Sequence, residues 1–252
     1  MNKIVFITGA SSGIGAACAK KFAQAGYDLV LNARSEDKLR PLLEELTQSY
    51  SIQICPLIFD VRDRKAAQQA INSLPEGFKA IDVLVNNAGL ARGMDKEYEG
   101  IEENYDTMID TNITALLMIT RMVVPGMVER GRGHIINIGS VAGDAAYPGG
   151  SVYCATKAAV KVLSDGLRMD LVHTPLRVTN VKPGLVETNF SITRFAGDKE
   201  RADKVYQGIQ PLTGEDIADV VYYAASAPAH VQIAEVLVLA THQASGSLVY
   251  RE

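Results

Sequence analysis

The sequence predicts an α/β fold of one domain: a doubly wound parallel sheet of seven strands with helices on both faces. Three observations carry that expectation. Short β-rich runs alternate with longer helix-like segments, the pattern that winds a parallel sheet through right-handed crossovers. The strand runs are apolar almost throughout instead of alternating, which marks strands buried on both faces. The first run leads straight into a glycine-rich turn that opens a helix.

In order, the expected strands are "KIVFIT" (3–8), "DLVLNA" (28–33), "IQICPLIF" (52–59), "IDVLVNN" (81–87), "HIINIG" (134–139), "RVTNVKP" (177–183) and "EVLVLA" (235–240). Helix-like segments lie near 14–25, 36–49, 63–73, 102–130, 151–172 and 214–226. No linker, repeat or low-complexity tract divides residues 1–252. The one long segment without a clear period is about 185–212, and a loop of that length in a compact domain is usually a lid or binding loop.

With 252 residues, 47% of them hydrophobic, the chain can bury one large core. Net charge is −4 with acids and bases interspersed, and no basic face suggests nucleic acid as a partner. The apolar start is too short for a signal segment, and no uninterrupted apolar stretch approaches membrane-spanning length, so no membrane partner is expected. Cys18, Cys55 and Cys154 are odd in number and in no ligand pattern, which fits a reduced, cytoplasmic protein. The four histidines form no i,i+4 pair, so no metal site is expected.

"ITGASSGIGAACAKKFAQAG" joins the first strand to the first helix through Gly9, Ser11, Ser12, Gly13, Ile14 and Gly15. Glycines there let backbone amides approach a pyrophosphate at the positive helix N-terminus. The spacing is GxxxGxG, not the commoner GxGxxG. At the end of the second strand an acid favours the free 2′-hydroxyl of NAD, while an arginine accommodates the 2′-phosphate of NADP. The strand ends "LNARSEDKL": Ala33 stands where the acid would be and Arg34 follows, which selects NADP. Further along, Tyr153 and Lys157 at i and i+4 share one face of a small-residue helix.

With "TGASSGIG", "NNAG" at 86–89, Ser140 and the Tyr153–Lys157 pair, the chain resembles the short-chain dehydrogenase/reductase family over essentially its whole length. The resemblance implies a single-domain Rossmann fold and assigns roles by motif. Asn112 in "DTNITA" matches the family's catalytic asparagine, and Asp60 in "FDV", with Val61 beside it, the adenine-contacting aspartate. "PGLVET" matches the nicotinamide-side loop and brings in Pro183, Gly184, Val186 and Thr188. Asn86, Asn87, Ala88 and Gly89 are expected on the adenosine side of the cofactor, supporting the central sheet. Gly13 and Gly15 argue against the epimerase-type branch. "NNAGLARGMD", "MIDTNITALLMITRMVVPGMVERGRGHIINIGS" and "RFAGDKERADKVYQ" are similar to a narrower group, the NADP-dependent 3-hydroxy acid dehydrogenases or serine 3-dehydrogenases. That likeness implies oxidation of the 3-hydroxyl of short acids such as serine or allo-threonine, or the reverse reduction, and a homotetramer. The faces of 102–130 and 151–172 match the helices through which the family commonly dimerises and equally fit an internal core.

The chemistry follows from the residue types. Oxidising an alcohol requires removal of its hydroxyl proton, and a free tyrosine is a poor base at neutral pH. At about 4 Å and an effective dielectric of about 20, Lys157 would favour the phenolate by roughly 4 kcal/mol, an upper bound of roughly two to three on the fall in pKa. Lys157 is also expected to hold the nicotinamide ribose and Ser140 the reacting oxygen; the family resemblance implies that Asn112 holds a water linking the lysine to solvent. A carboxylate substrate needs a cation near the reacting carbon, for which Arg194 in the 185–212 segment is the first candidate and Arg92 the second. Other readings on the same fold are a 3-oxoacyl-carrier-protein reductase, a broad carbonyl reductase and a non-catalytic NADP-sensing protein.

Overall fold

The computed structural model describes residues 2–252. Strands β1 (Ile4–Ile7), β2 (Asp28–Ala33), β3 (Ile54–Ile58), β4 (Val83–Asn86), β5 (His134–Ile138), β6 (Arg177–Pro183) and β7 (Glu235–Val238) form one sheet. The order is β3-β2-β1-β4-β5-β6-β7, and every pairing is parallel. Helices are α1 (Gly13–Gln24), α2 (Glu36–Ser49), α3 (Arg64–Asn72), α4 (Glu102–Ile109), α5 (Ala115–Arg130), α6 (Ser151–Asp170), α7 (Phe190–Arg194), α8 (Lys199–Lys204) and α9 (Gly214–Ser226). The winding reverses between β1 and β4, so a crevice opens at their carboxyl ends, where such sheets bind ligands.

Burial on both faces explains the apolar strands. In β1, Val5 and Ile7 join Phe22, Leu39, Ile217 and Val221 on the α1–α2–α9 side, while Ile4 and Phe6 join Ala67, Ile119, Val123 and Met127 on the other. At the outer edges Ile58 of β3 and Leu237 of β7 are exposed, because no further strand or helix covers them. Helix ends are secured by named groups. The Asp63 carboxylate accepts from the Lys65 and Ala66 amides at 3.0 Å to start α3. Thr213 and Asp216 form a capping box on α9. At the other end of α9, the Arg177 guanidinium donates to the carbonyls of Ala225 (3.0 Å) and Ala227 (2.9 Å), filling acceptors that the helix leaves open.

Three sequence expectations change in detail. The single helix at 102–130 is continuous but passes through a π-helical turn at Asp110–Thr114. By length and composition Glu102–Arg130 could cross a membrane, which departs from the sequence expectation. Here Leu116, Ile119, Val123 and Met127 are buried, and the last three belong to the sheet-side core. The segment at 185–212 contains α7 and α8, five and six residues long, too short to register as a helical period. The Asp198 side chain caps α8 by accepting from the Arg201 amide at 3.0 Å.

Candidate active site

A cavity of about 660 Å³ occupies the crevice and continues beneath the 185–212 segment. Its near end is made of main chain. Gly9 (φ 66°) and Gly13 (φ 54°) take left-handed conformations that side chains disfavour. Asn87 Nδ2 donates to the Thr8 and Gly9 carbonyls (2.8 and 3.1 Å), and the Thr8 hydroxyl accepts from the Asn87 and Ala88 amides (3.0 Å each). The turn is thereby sewn to the end of β4. Ser12 precedes α1 without capping it through its side chain, so the first-turn amides remain available to an anion. These groups fit a dinucleotide pyrophosphate.

Arg34 is exposed on the same wall, beyond β2. Nearby, Asp60 is gripped by Arg62, whose Nη2 lies 2.8 Å from the carboxylate. The Arg62 hydrogen bonds, opposed by burial, hold the Asp60 carboxyl below its ordinary range. Between them Asn32, buried in β2, donates to the Leu57 and Phe59 carbonyls (3.2 and 3.0 Å) and accepts from the Gly9 amide at 3.4 Å, tying three strand ends together.

At the far end, Tyr153 lies in the first turn of α6 and Lys157 one turn on, both buried. Ser140 follows β5, and its hydroxyl accepts from the Ala142 amide at 3.1 Å. Lys157 Nζ donates to the Ile138 carbonyl at 2.8 Å and lies 5.9 Å from the centre of the Tyr153 ring. Across the cavity Phe190 packs on that ring at 5.6 Å. The Arg194 guanidinium stands 5.8 Å from it, donating to the Gly93 carbonyl (3.0 Å) and the Tyr147 hydroxyl (3.1 Å). Those two bonds leave Nη2 for an anion.

Most sequence-predicted positions line this cavity: Ser11, Ile14, Val61, Gly89, Pro183, Gly184, Val186 and Thr188 join those above. Four do not. Gly15 lies behind the wall, where a Cβ would meet the Gly9 carbonyl oxygen and lie 2.5 Å from Asn87 Nδ2; it supports the cradle without facing it. Asn86 is buried in the sheet, donating to Thr120 (2.9 Å) and Asn137 (2.8 Å), so it is not on the adenosine side. The Asn112 side chain is spent on the Leu90 amide and carbonyl (2.9 and 2.8 Å) and on Thr156 (3.0 Å). Arg92 lies outside this cavity, in a small neighbouring cleft, where its Nη1 donates to the Thr193 carbonyl at 2.9 Å. Sequence reasoning missed Asn32, Thr111, Tyr147 and Phe190, and also Gln243 and Arg251 near the C-terminal end. Thr111 and Tyr147 had signals of a kind, beside Asn112 and before a Pro-Gly turn. The C-terminal pair had none.

One expectation is reversed. Burial, then Tyr147, pushes the Tyr153 phenol up; Ser140 and Arg194 pull it back only in part. Lys157, engaged on Ile138, does not offset that burial. Burial also pushes Lys157 itself down to about 8. Cys154 is buried beside Tyr153, and burial raises its thiol, so it stays protonated. Among the described residues, no three potential metal ligands are grouped.

A crevice with an anion cradle at one end and a buried phenol and ammonium at the other defines a class, the nucleotide-dependent α/β oxidoreductases. Residues 3–199 match the family model described as short chain dehydrogenase, and the chain belongs to that family. It is 44% identical over 251 residues to the NADP-dependent 3-hydroxy acid dehydrogenase of Schizosaccharomyces pombe, covering 99% of this chain and 97% of the relative. It is 45% identical over 245 residues to sulfoacetaldehyde reductase 2 of Chromohalobacter salexigens, covering 97% and 96%. Among solved structures, the closed form of a serine dehydrogenase complexed with NADP+ superposes with a TM-score of 0.92 at 45% identity, covering 99% of this chain and 100% of that one.

Proposed function

We propose that this protein is an NADP-dependent dehydrogenase that oxidises the 3-hydroxyl of short 3-hydroxy acids, serine and allo-threonine among them, or reduces the corresponding carbonyl. The observation that carries the reading is Arg194, a cation 5.8 Å from the Tyr153 ring and lining the same cavity. A carboxylate on Arg194 Nη2 brings the carbinol of a short 3-hydroxy acid toward the phenol, and an anion entering this half-buried space needs such a partner. The relatives named for 3-hydroxy acids and serine support the carboxylate, and their names support NADP.

NADP is held with its pyrophosphate on the Gly9–Gly15 turn, its 2′-phosphate on Arg34 and its adenine by Asp60 and Val61. Asn87, Ala88 and Gly89 line its middle, and Pro183, Gly184, Val186 and Thr188 flank its nicotinamide. When bound, it supplies the hydride acceptor or donor. Lys157 orients the ribose through its ammonium, Ser140 holds the reacting oxygen, and Tyr153 moves the proton. In reduction the buried phenol is a loaded proton donor, the form that burial favours. In oxidation Tyr153 works as phenolate, which Arg194, Ser140 and the N-terminal end of α6 favour. With its side chain committed to Leu90 and Thr156, Asn112 supports a water path through its backbone at the π-helical turn, a feature frequent at functional sites.

The 185–212 segment acts as the substrate lid. It is pinned to residues 92–93 by the Arg92 bond to Thr193 and by paired bonds between Gly93 and Arg194. Val162 and Met169 of α6 and Val172 just beyond it are exposed, as are Ile109 and Leu117. Their burial between subunits fits a cytoplasmic homotetramer. A second reading replaces carboxylate by sulfonate, favoured by the sulfoacetaldehyde reductase relative, since a guanidinium binds either oxyanion.

The test is reduction of NADP and NAD by purified protein with serine, allo-threonine, 3-hydroxybutyrate, 3-hydroxypropionate, isethionate and neutral secondary alcohols. Turnover of the acids with NADP is expected. A strong NAD preference contradicts the Arg34 assignment, and activity on neutral alcohols alone contradicts the acid-substrate assignment.

A further inference from the structure

We propose that Lys182 and Asp144 are positioning residues for Ser140: their ion pair holds the turn that carries the serine hydroxyl against the helix that carries Tyr153. The proposal rests on the assignment of Ser140 made above. Lys182 lies in β6 and is only 5% exposed. Its Nζ lies 2.9 and 3.0 Å from the two Asp144 carboxylate oxygens and 2.7 Å from Glu235 Oε1 on β7. The other Glu235 oxygen accepts from Asn180 Nδ2 at 3.2 Å. An ammonium so buried depends on its partners, and here Asp144 ties it to the turn while Glu235 ties it to β7. None of these four side chains lines the cavity, so they act on the reaction only through their neighbours.

The neighbours are the reacting groups. A 3₁₀ turn at Val141–Gly143 begins from Ser140 and ends at Asp144. Both ends of the turn are tied to adjacent residues of β6: Ser140 donates to the Pro183 carbonyl at 3.5 Å, and Asp144 is clasped by Lys182. The first tie is long and weak; at that end Gly139, just before Ser140, is fixed by donating to the Val181 carbonyl at 2.7 Å, and at the Asp144 end the ion pair is the firm tie. On its third side the turn presses on α6. A Cβ at Gly143 would lie 2.7 Å from the carbonyl carbon of Lys157, so the turn has no slack in that direction. Lys182 thus anchors to β6 the far end of the turn that bears Ser140, and that turn packs through Gly143 on the helix bearing Tyr153 and Lys157. Displacements of about 1 Å at such a site can reduce turnover about 100-fold.

The experiment measures kcat and KM for Lys182→Met and Asp144→Asn, each in the parent and in a Ser140→Ala background, with circular dichroism as the check on folding. In the parent background kcat is expected to fall about 10- to 100-fold while the KM for NADP changes less than about twofold. In the Ser140→Ala background neither substitution adds more than about a twofold loss, because the hydroxyl they position is gone. Lys182→Arg, which keeps the charge, recovers part of the rate. If either folded variant keeps kcat within about twofold of the parent, or loses the same factor without Ser140, the positioning role is overturned. Asp144→Asn decides the matter should Lys182→Met fail to fold. A Ser140→Ala enzyme as fast as the parent overturns the assignment of Ser140 itself, and the positioning role with it.

Discussion

At the α1 end the cavity wall is backbone: left-handed Gly9 and Gly13, the close approach at Gly15, and a turn fastened to β4 through Thr8 and Asn87. At the Tyr153 end much of the wall is side chain, carried on short helices and a C-terminal segment that hook onto carbonyls. Arg194 holds Gly93, Arg92 holds Thr193, and Arg251 donates to the Val205 carbonyl just past α8. The Gln243 side chain accepts from the Leu185 amide at 2.8 Å. The difference teaches how each end chooses its ligand. A main-chain cradle suits one invariant group, a pyrophosphate, and tolerates no added atom. Side-chain hooks can be exchanged singly, and so they set the substrate.

The comparison breaks first at Gly15. Valine there is expected to raise the NADP dissociation constant by more than about 100-fold in calorimetric titration, because main chain and Asn87 must both move. A variant that binds within about threefold of the parent shows that the wall can yield. At the other end Arg194→Met is expected to raise KM for 3-hydroxy acids roughly 10- to 100-fold, the worth of a charge-assisted bond, while neutral alcohols change less than about threefold. Equal effects on both substrate types remove Arg194 from the anion site. Arg34→Leu sharpens the cradle's own specificity. It is expected to weaken NADP roughly tenfold or more with little change for NAD, measured side by side in the same titration.

The smallest effect expected is with pH. Lys157 has a folded pKa depressed to about 8, so its ammonium is fully present only below that pH and is lost as pH rises through it. NADP binding that uses the ammonium on the ribose should therefore weaken above the transition, by less than about tenfold in all up to about pH 9.5, since one bond to the ribose loses its charge. Lys157→Met should bind more weakly but without that inflection. A parent enzyme whose affinity is flat from pH 7 to about 9.5 contradicts the ribose role.

The same contrast explains what could be read from the sequence. Continuous apolar runs located all seven strands: burial on both faces writes itself into the composition of the inner ones, and the edge strands β3 and β7 keep apolar runs although partly exposed. Backbone geometry needs glycines at fixed spacing, so the cradle was legible through Gly9, Gly13 and Gly15, although only the structure shows that Gly15 faces away from the cavity. Tyr153 and Lys157 could be paired because one helix carries both. Tyr147, Gln243 and Arg251 reach the same space from separate segments, and no local period or spacing joins them. Arg92 and Arg194 look alike as sequence and both donate to a backbone carbonyl, yet only Arg194 lines the cavity. For a similar reason helical spacing reports the ammonium near Tyr153 but not the extent of burial, which opposes ionisation of the phenol.

The central claim is that Tyr153 moves the proton at the reacting oxygen, and Tyr153→Phe tests it most directly. The substitution removes one oxygen and leaves a ring that can still pack on Phe190. The variant should fold and bind NADP within about threefold of the parent while kcat falls roughly 100- to 10,000-fold. A folded, NADP-binding phenylalanine enzyme with the parent's kcat would contradict the account.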